Sequence, residues 1–558
     1  MEPIAMKLTP PRTFLGFASL APLRETNNSR QGAKLAKTCI GDNGSVCIRR
    51  LRGALAVLAL VCFPLPASQL AVAEPLRINV TDSNGEPLPC RVHLRNENGE
   101  PQRVPGQPYW NDHFVCSGRV TADLKPGEYR YEIERGPEHE RKVGKIAIDS
   151  GKPAELKETL RRIANLRQDR WFSADLHVHR PLEDVELLMR AEDLDFAPVI
   201  TWWNNRNLWQ GRTIPDDLTR SFDVHRLYGL MAGEDEREGG ALLFFGLDRP
   251  LDITGSKREV PSPMQFVTEA RKRNEKVWID IEKPFWWDVP VWLADGRMNS
   301  IGLANNHMCR SRMLENEAWG KPRDVSRLPS PRGNGFWTQE IYYHILNSGL
   351  RIPPSAGSAS GVLPNPVGYN RVYVHLDEPF TRDAWFAGLA RGRCFVTNGP
   401  LLVVRSNRQL PGATLKVDDG TSLEVQLEIE LTSIDRVPRL ELIYNGEATQ
   451  SIECSGDVSQ KRSLQFKVDR PGWFLVRAIA DVNETFRFAS TAPWFVETEA
   501  NQRHISRLSA QFFHDWTVER IDRAKANVPD ESERREVLAW HEKALAFWQD
   551  RVKQANAP

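Results

Sequence analysis

The chain has almost no net charge: 74 basic residues stand against 73 acidic ones, a formal +1. A balance this even supplies no electrostatic footprint for nucleic acid or for an acidic membrane surface. Long apolar runs are scarce as well. The run from Gly53 to Phe63 is well short of the roughly 20 residues that cross a bilayer, so no membrane span is expected in the mature chain. Neither an internal repeat nor a low-complexity tract is present, which excludes solenoid and linker-like architectures. Cysteine is sparse, with eight in 558 residues.

What is present begins with a leader. Residues 1–48 are polar and patternless and read as a disordered or mis-assigned extension. Arg49, Arg50 and Arg52 then precede the apolar run, and Ala71-Val72-Ala73 gives a small-x-small cleavage pattern before Glu74. That three-part layout predicts a signal peptide at 49–73 and a secreted or periplasmic protein. Cys90, Cys116, Cys309, Cys394 and Cys454 follow the expected cleavage point. Their odd number leaves at least one free thiol, and Cys90 with Cys116, close together in a β-rich segment, is the expected pair in an exported chain.

The length predicts roughly three or four domains, and 41% apolar residues are enough for packed cores. Segment 74–162 alternates strands with turns such as Thr81-Asp82-Ser83-Asn84-Gly85, which predicts a small β-sandwich. From 163 to 400, strands alternate with helical stretches. Phe196–Trp202, Leu242–Leu247 and Lys276–Ile281 read as strands, and Pro263–Asn274 as a helix between two of them. The alternation predicts an α/β domain of parallel β/α units closing into a barrel. Segment 401–499 returns to β alternation, clearest in Leu423–Leu431, and predicts a second sandwich. Segment 500–558 predicts a helical hairpin broken at Pro529-Asp530, with Leu508, Phe512, Trp516 and Ile521 on one apolar face and Val537, Ala544, Leu545 and Trp548 on the other.

The chemistry-bearing stretch is Asp175-Leu176-His177-Val178-His179, directly after Trp171-Phe172-Ser173-Ala174. Side chains alternate along a strand, so His177 and His179 share a face and are placed to grip one metal ion. Asp175 has the same parity and is a candidate to orient a ligand. Of 17 tryptophans, ten lie between Trp171 and Trp337. Such a cluster is either core or an aromatic platform for a sugar ring or apolar substrate.

Four stretches together resemble one family: Asp175–His179, Ala191-Glu192-Asp193-Leu194-Asp195, Asn365-Pro366-Val367-Gly368-Tyr369-Asn370-Arg371, and Gly392-Arg393-Cys394-Phe395-Val396-Thr397-Asn398-Gly399-Pro400. They resemble the polymerase-and-histidinol-phosphatase (PHP) superfamily, and within it the exported CehA/McbA-type metallohydrolases. The Pro126-Gly127-Glu128-Tyr129 stretch is similar to carboxypeptidase-regulatory-like sandwiches. The PHP resemblance implies a distorted, TIM-like (β/α)7 barrel, here flanked by the two sandwiches and the hairpin. It also implies a hydrolase in which a metal-activated water attacks an ester, phosphoester or carbamate.

His177 and His179 match the family's first motif, and Glu234 falls where the family places a bridging glutamate. Elsewhere the pattern departs. Thr201-Trp202-Trp203-Asn204 stands for Thr-Asp-His-Asn, Gly240-Ala241 for Gly-His, Lys283-Pro284 for His-Pro, and Gly357-Ser358-Ala359-Ser360-Gly361 for Gly-Ser-Asp-x-His. The retained set implies one ion rather than two or three. The expected ligands are His177, His179, Glu234, Glu282 and His307, a mixture that suits zinc, manganese or iron. Glu282, as ligand or general base, Lys283 and Arg371 are the expected catalytic or anion-binding groups. Trp202, Trp203, Asn204, Trp286 and Trp287 are expected to line a cleft for a small or carbohydrate-like substrate. The alternative is a degenerate barrel that binds a glycan or small ligand through those tryptophans.

Overall fold

The computed structural model describes residues 73–500 and 502–558. The extension expected at 1–48 and all but the last residue of the leader expected at 49–73 lie outside the described residues. Among the described residues there are 28 strands and seven α-helices, and none of the helices is long and apolar enough to cross a membrane.

Glu74–Thr81 shows how the N-terminal region is built. Leu76, Ile78 and Val80 are buried while their neighbours face outward, the period of two that a half-buried strand requires. This strand lies between Arg119–Leu124 and Ala154–Thr159 in a three-stranded sheet. A five-stranded sheet, which includes Cys90–Arg95 and Gly127–Glu134, contributes Val92, Leu94, Tyr129, Tyr131 and Ile133 to the same core. Cys90 and Cys116 are cross-strand partners in it, with sulfurs 3.9 Å apart and both thiols free.

The barrel expected at 163–400 is corrected by the strand pairings. Seventeen strands between Trp171 and Thr498 join in one closed sheet, six of them from beyond Pro400. Most neighbours are antiparallel. Arg226–Arg237 runs straight back into Gly240–Phe245 as a hairpin. Gly240–Phe245 is antiparallel to Trp278–Ile281 even though the helix Pro263–Arg273 lies between them in sequence. Arg371–His375 pairs antiparallel with both Trp171–Ala174 and Cys394–Thr397. A (β/α)7 barrel needs parallel neighbours joined by crossover helices. Only two short parallel runs exist within 163–400. One joins Trp171–Ala174, Phe196–Trp203 and Arg226–Arg237; the other joins Trp278–Ile281, Ser300–Ala304 and Pro354–Ala356. The reason is that an apolar run marks a buried strand without marking its direction.

Beyond Pro400, Leu401–Ser406, Leu423–Thr432 and Ser459–Val468 form a separate antiparallel sheet. Its inward residues Val425, Leu427, Ile429 and Leu431 pack with Phe474, Val476 and Trp494 of the central sheet. The second layer of this region is thus continuous with the central sheet.

Two helices end the chain. Ser506 caps Arg507–Asn527, and Asp530 caps Glu531–Lys553 by accepting from the amides of Ser532 and Glu533, each satisfying amides that the first turn leaves free. The first helix buries Ala510, Phe513, Trp516, Arg520 and Ile521, while Leu508 is 70% exposed, so its inward face is turned from the expected one. Phe513 stacks on Trp548 with ring centres 4.6 Å apart. The Arg520 guanidinium bonds Asp288 at 2.6 Å and both oxygens of Glu259, and His541 Nε2 lies 3.2 Å from the same Asp288 oxygen. Asp288 closes the loop that begins at Glu282, so this ion network ties the helices to the segment that frames the candidate site.

Arg520 is 1% exposed, so removing it strands two carboxylates in the interior. Arg520→Met is expected to lower unfolding free energy by roughly 3–5 kcal/mol in urea titration. A loss below about 1 kcal/mol would mean that the network does not fasten the helices.

Candidate metal centre

The first two ligands follow from one bridge. Val178 pairs in parallel fashion with Val199 and Ser360, so His177 and His179 flank a strand-like residue and leave on the same side. Backbone bonds fix the segment on both edges: Leu176 N to Ala356 O, His179 N to Ser360 O, and Ile200 N to Val178 O. Gly357 is required there, since a Cβ on it would lie 2.5 Å from the His177 Cβ. Glu234 arrives from the Arg226–Arg237 strand, where it sits opposite Trp203. The pairing slips between Ile200 and Trp202, an irregularity of the kind that re-aims side chains beside sites.

The three side chains converge. His177 Nε2 lies 2.9 Å from His179 Nε2 and 3.3 Å from Glu234 Oε2, and His179 Nε2 lies 3.1 Å from Glu234 Oε2. Ligand atoms held about 2.0–2.1 Å from a zinc-sized ion are roughly 2.9–3.4 Å apart, so the triangle has the size of a coordination face. His177 and Glu234 are 3% and 2% exposed, and Glu234 Oε2 accepts no hydrogen bond. A buried carboxylate oxygen whose only close neighbours are two imidazole nitrogens, with no well-aligned hydrogen bond, fits a cation. Burial opposes a charge on His177, but Glu234 and Glu282 outweigh it and hold the imidazole up at about 10. Burial likewise opposes the Glu234 charge, and His177 and His179 outweigh it to bring that carboxyl to about 2. Without a metal, the same surroundings hold a proton.

Glu282 stands behind His177. Its Oε1 lies 3.2 Å from His177 Nδ1 and accepts from Asn306 Nδ2, while Oε2 accepts from Lys283 Nζ at 2.5 Å and Trp286 Nε1 at 3.0 Å. Four donors occupy a carboxylate with about four acceptor sites. Glu282 therefore orients His177 rather than facing the triangle, the arrangement that fixes a ligand's tautomer in carboxylate–histidine–metal chains. Lys283 Nζ also rests over the Trp286 ring at 4.4 Å.

Glu236 is the residue that the sequence reading passed over. It shares the parity of Glu234 on the same strand, and its carboxylate, with those of Glu234 and Glu282, falls within a 4.8 Å group. Burial and then the charges of Glu234 and Glu282 push its carboxyl up to about 8. The acidic run Glu234-Asp235-Glu236 carried the signal, since alternate residues of a strand share a face. Asp235 points the other way and is paired with Arg237.

Other expected residues are placed elsewhere. Asp175 accepts from three backbone amides, those of His177, Ser358 and Gly368, at 2.7–3.0 Å, so it positions the backbone of His177 and not its ring. His307 is buried against Phe285, lies outside the ligand groups, and its Nδ1 has no partner. Burial and then Lys283 lower its imidazole to about 3, which keeps it neutral. Arg371 bonds the carbonyls of Gly368 and Glu192 and lines a different cavity. Asn204 accepts from the Glu236 amide at 2.9 Å and so clamps the ligand strand. Trp202, Trp286 and Trp287 are at most 2% exposed, which leaves them no open face for a sugar. Trp203 is half-buried and packs on His179 with ring centres 4.8 Å apart.

His93, Asp112 and His113 form another group of convergent ligand atoms. Arg95 Nη2 already reaches Asp112 Oδ2 at 2.5 Å, and Arg91 Nε reaches His93 Nε2 at 3.1 Å. Cationic side chains thus hold the acceptors that a metal would need there.

The metal-free protein is expected to take up about one zinc or manganese ion per chain, with release of about one proton at pH 8, because ligand histidines must deprotonate. His177, held near 10, is charged below that pH and neutral above it, so the proton release should fade as pH rises through 10. Titration in weak buffer, beside elemental analysis of His177→Ala/His179→Ala, checks this. Equal uptake by the variant would remove the triangle as the centre.

No family model and no curated protein matches the chain. Among solved structures, the CARDB domain of the PF1109 protein from Pyrococcus furiosus, in complex with di-metal ions, is similar over 18% of this chain and 90% of its own, at 14% identity and a TM-score of 0.13. That score carries no argument about fold or function.

Proposed function

We propose that the protein is a metal-dependent hydrolase of ester, phosphoester or carbamate bonds. The buried triangle of His177 Nε2, His179 Nε2 and Glu234 Oε2, sized as a coordination face, carries the reading. The likeness of Asp175–His179 and the later stretches to the PHP superfamily supports the same chemistry, independently of the barrel it implied. His177, His179 and Glu234 would hold a divalent cation, which would supply Lewis acidity and make water a stronger acid, with a pKa of about 7.

The side chains divide the remaining work. Glu282 keeps the His177 Nδ1 proton and leaves Nε2 free to bind. Glu236, the half-buried carboxyl on the same strand face, takes a proton from the attacking water and returns it to the leaving group. In the metal-free protein burial, and then the charges of Glu234 and Glu282, push its carboxyl up to about 8, the direction that readies a carboxyl for proton transfer near neutral pH. Lys283 offsets one of the carboxylate charges of Glu234, Glu236 and Glu282, so a bound dication would leave the cluster neutral with Glu236 ionised and positive with it protonated. Trp203 and His179 form the more open wall. The leader expected at 49–73 would place this activity outside the cytoplasm.

The test is a panel of aryl phosphates, aryl esters and aryl carbamates with protein loaded in turn with zinc, manganese and iron(II). Turnover is expected with at least one class, and Glu236→Gln should retain its metal while kcat falls by roughly 10²–10⁴-fold. No turnover with any loaded form, or equal turnover by His177→Ala/His179→Ala, would overturn the reading.

A further inference from the structure

A polar cavity of about 60 Å³ opens where the N-terminal sheets meet the central sheet and the segment around Asp435. Arg91, Arg141, Arg310, Arg371 and Arg487 line it against only three carboxylates, Glu134, Glu192 and Asp435. Four of the guanidiniums are matched. Arg91 pairs with Glu134 and Glu192, Arg310 with Glu134, and Arg141 and Arg487 with Asp435. Glu132, just outside the lining, shares Arg310 and Arg141. Even with that fourth carboxylate, positive charge is in excess.

The excess falls on Arg371. It is 1% exposed, forms no ion pair among the described residues, and spends Nε and Nη2 on the carbonyls of Gly368 and Glu192. Its Nη1 has no acceptor. The neighbouring Tyr373 hydroxyl, kept neutral by burial, gives its proton to Glu138 and lies against the Arg371 side chain. The Glu192 charge is near but makes no direct pair with Arg371, and a buried guanidinium nitrogen without an acceptor is costly unless an anion or water joins it. Tyr369 lines the same cavity, and its hydroxyl accepts from Arg487 Nε at 3.4 Å while giving its own proton to no described acceptor.

We propose that this cavity is a binding site for a small tetrahedral oxyanion of the phosphate class, held by Arg371 Nη1 and the Tyr369 hydroxyl. A water needs about 10–15 Å³ of such space, so the cavity takes roughly four to six, room enough for one phosphate. With Nε and Nη2 of Arg371 already bonded, Nη1 and the Tyr369 hydroxyl are two separate donors, which separate oxygens of one oxyanion can accept from together and a single chloride matches less well. The site is distinct from the metal centre, since none of its lining residues is a ligand of the triangle.

The experiment is calorimetric titration of the metal-free full chain with inorganic phosphate, against chloride at matched ionic strength. One saturable phosphate per chain is expected. Arg371→Gln should weaken it at least tenfold and Tyr369→Phe severalfold, while His177→Ala/His179→Ala binds as wild type does. Should Arg371→Gln fail to fold, Tyr369→Phe and the double histidine variant decide the matter. Absence of saturable binding, binding matched by chloride, binding lost in the double histidine variant, or unchanged binding in Tyr369→Phe together with a folded Arg371→Gln would each overturn the proposal.

Discussion

A carboxylate withdrawn from water must find donors or a cation, and the centre of this protein is arranged around two that meet this need differently. Glu282 is surrounded by an imidazole, an amide, an ammonium and an indole N–H, all acting as donors. Glu234 has one oxygen with no well-aligned hydrogen bond, only two imidazole nitrogens at 3.1–3.3 Å. The first carboxylate is rigid and complete, and the second is left open beside two imidazoles. Glu282 is complete because the parallel strands Trp278–Ile281 and Ser300–Ala304 end at the same edge, bringing Glu282 and Asn306 together. The rest of the site depends on this, since a loosely held Glu282 would free the His177 ring.

Local patterns were legible in the sequence and directions were not. His177 and His179 share a face because a period of two needs no knowledge of what lies beyond the strand. The exposed alternation of Leu423–Thr432 was legible for the same reason. The order and sense of the central strands were hidden, because runs such as Leu242–Phe245 and Trp278–Ile281 read alike whether their neighbours run with them or against them. The tryptophans were hidden too. Composition shows that they cluster, while burial of Trp202 beneath Gly233, and of Trp287 under the cations of Lys321 and Arg523, depends on distant chain segments. Arg371 was legible as an anion-binding type, but its strand pairs with Trp171–Ala174 in a sense that sends the side chain toward Glu192.

The peripheral layers hold the central sheet by charges as well as apolar contact. Arg91 crosses from the N-terminal sheet to Glu192, and Arg520 crosses from the terminal helices to Asp288 and Glu259. Such pairs contribute little net stability when well formed, yet are costly to break once buried. They therefore act as registers, fixing where each layer sits against the sheet more than how strongly it adheres.

Asp175 gathers amides from His177, Ser358 and Gly368, and the last of these is 193 residues away in sequence. At a synthesis rate of about 5–20 residues per second, that interval lasts roughly 10–40 s. Throughout it the histidine pair exists on the growing chain without the backbone that aims it. The backbone that aims His177 is therefore complete only once Gly368 has been made, long after the histidines themselves.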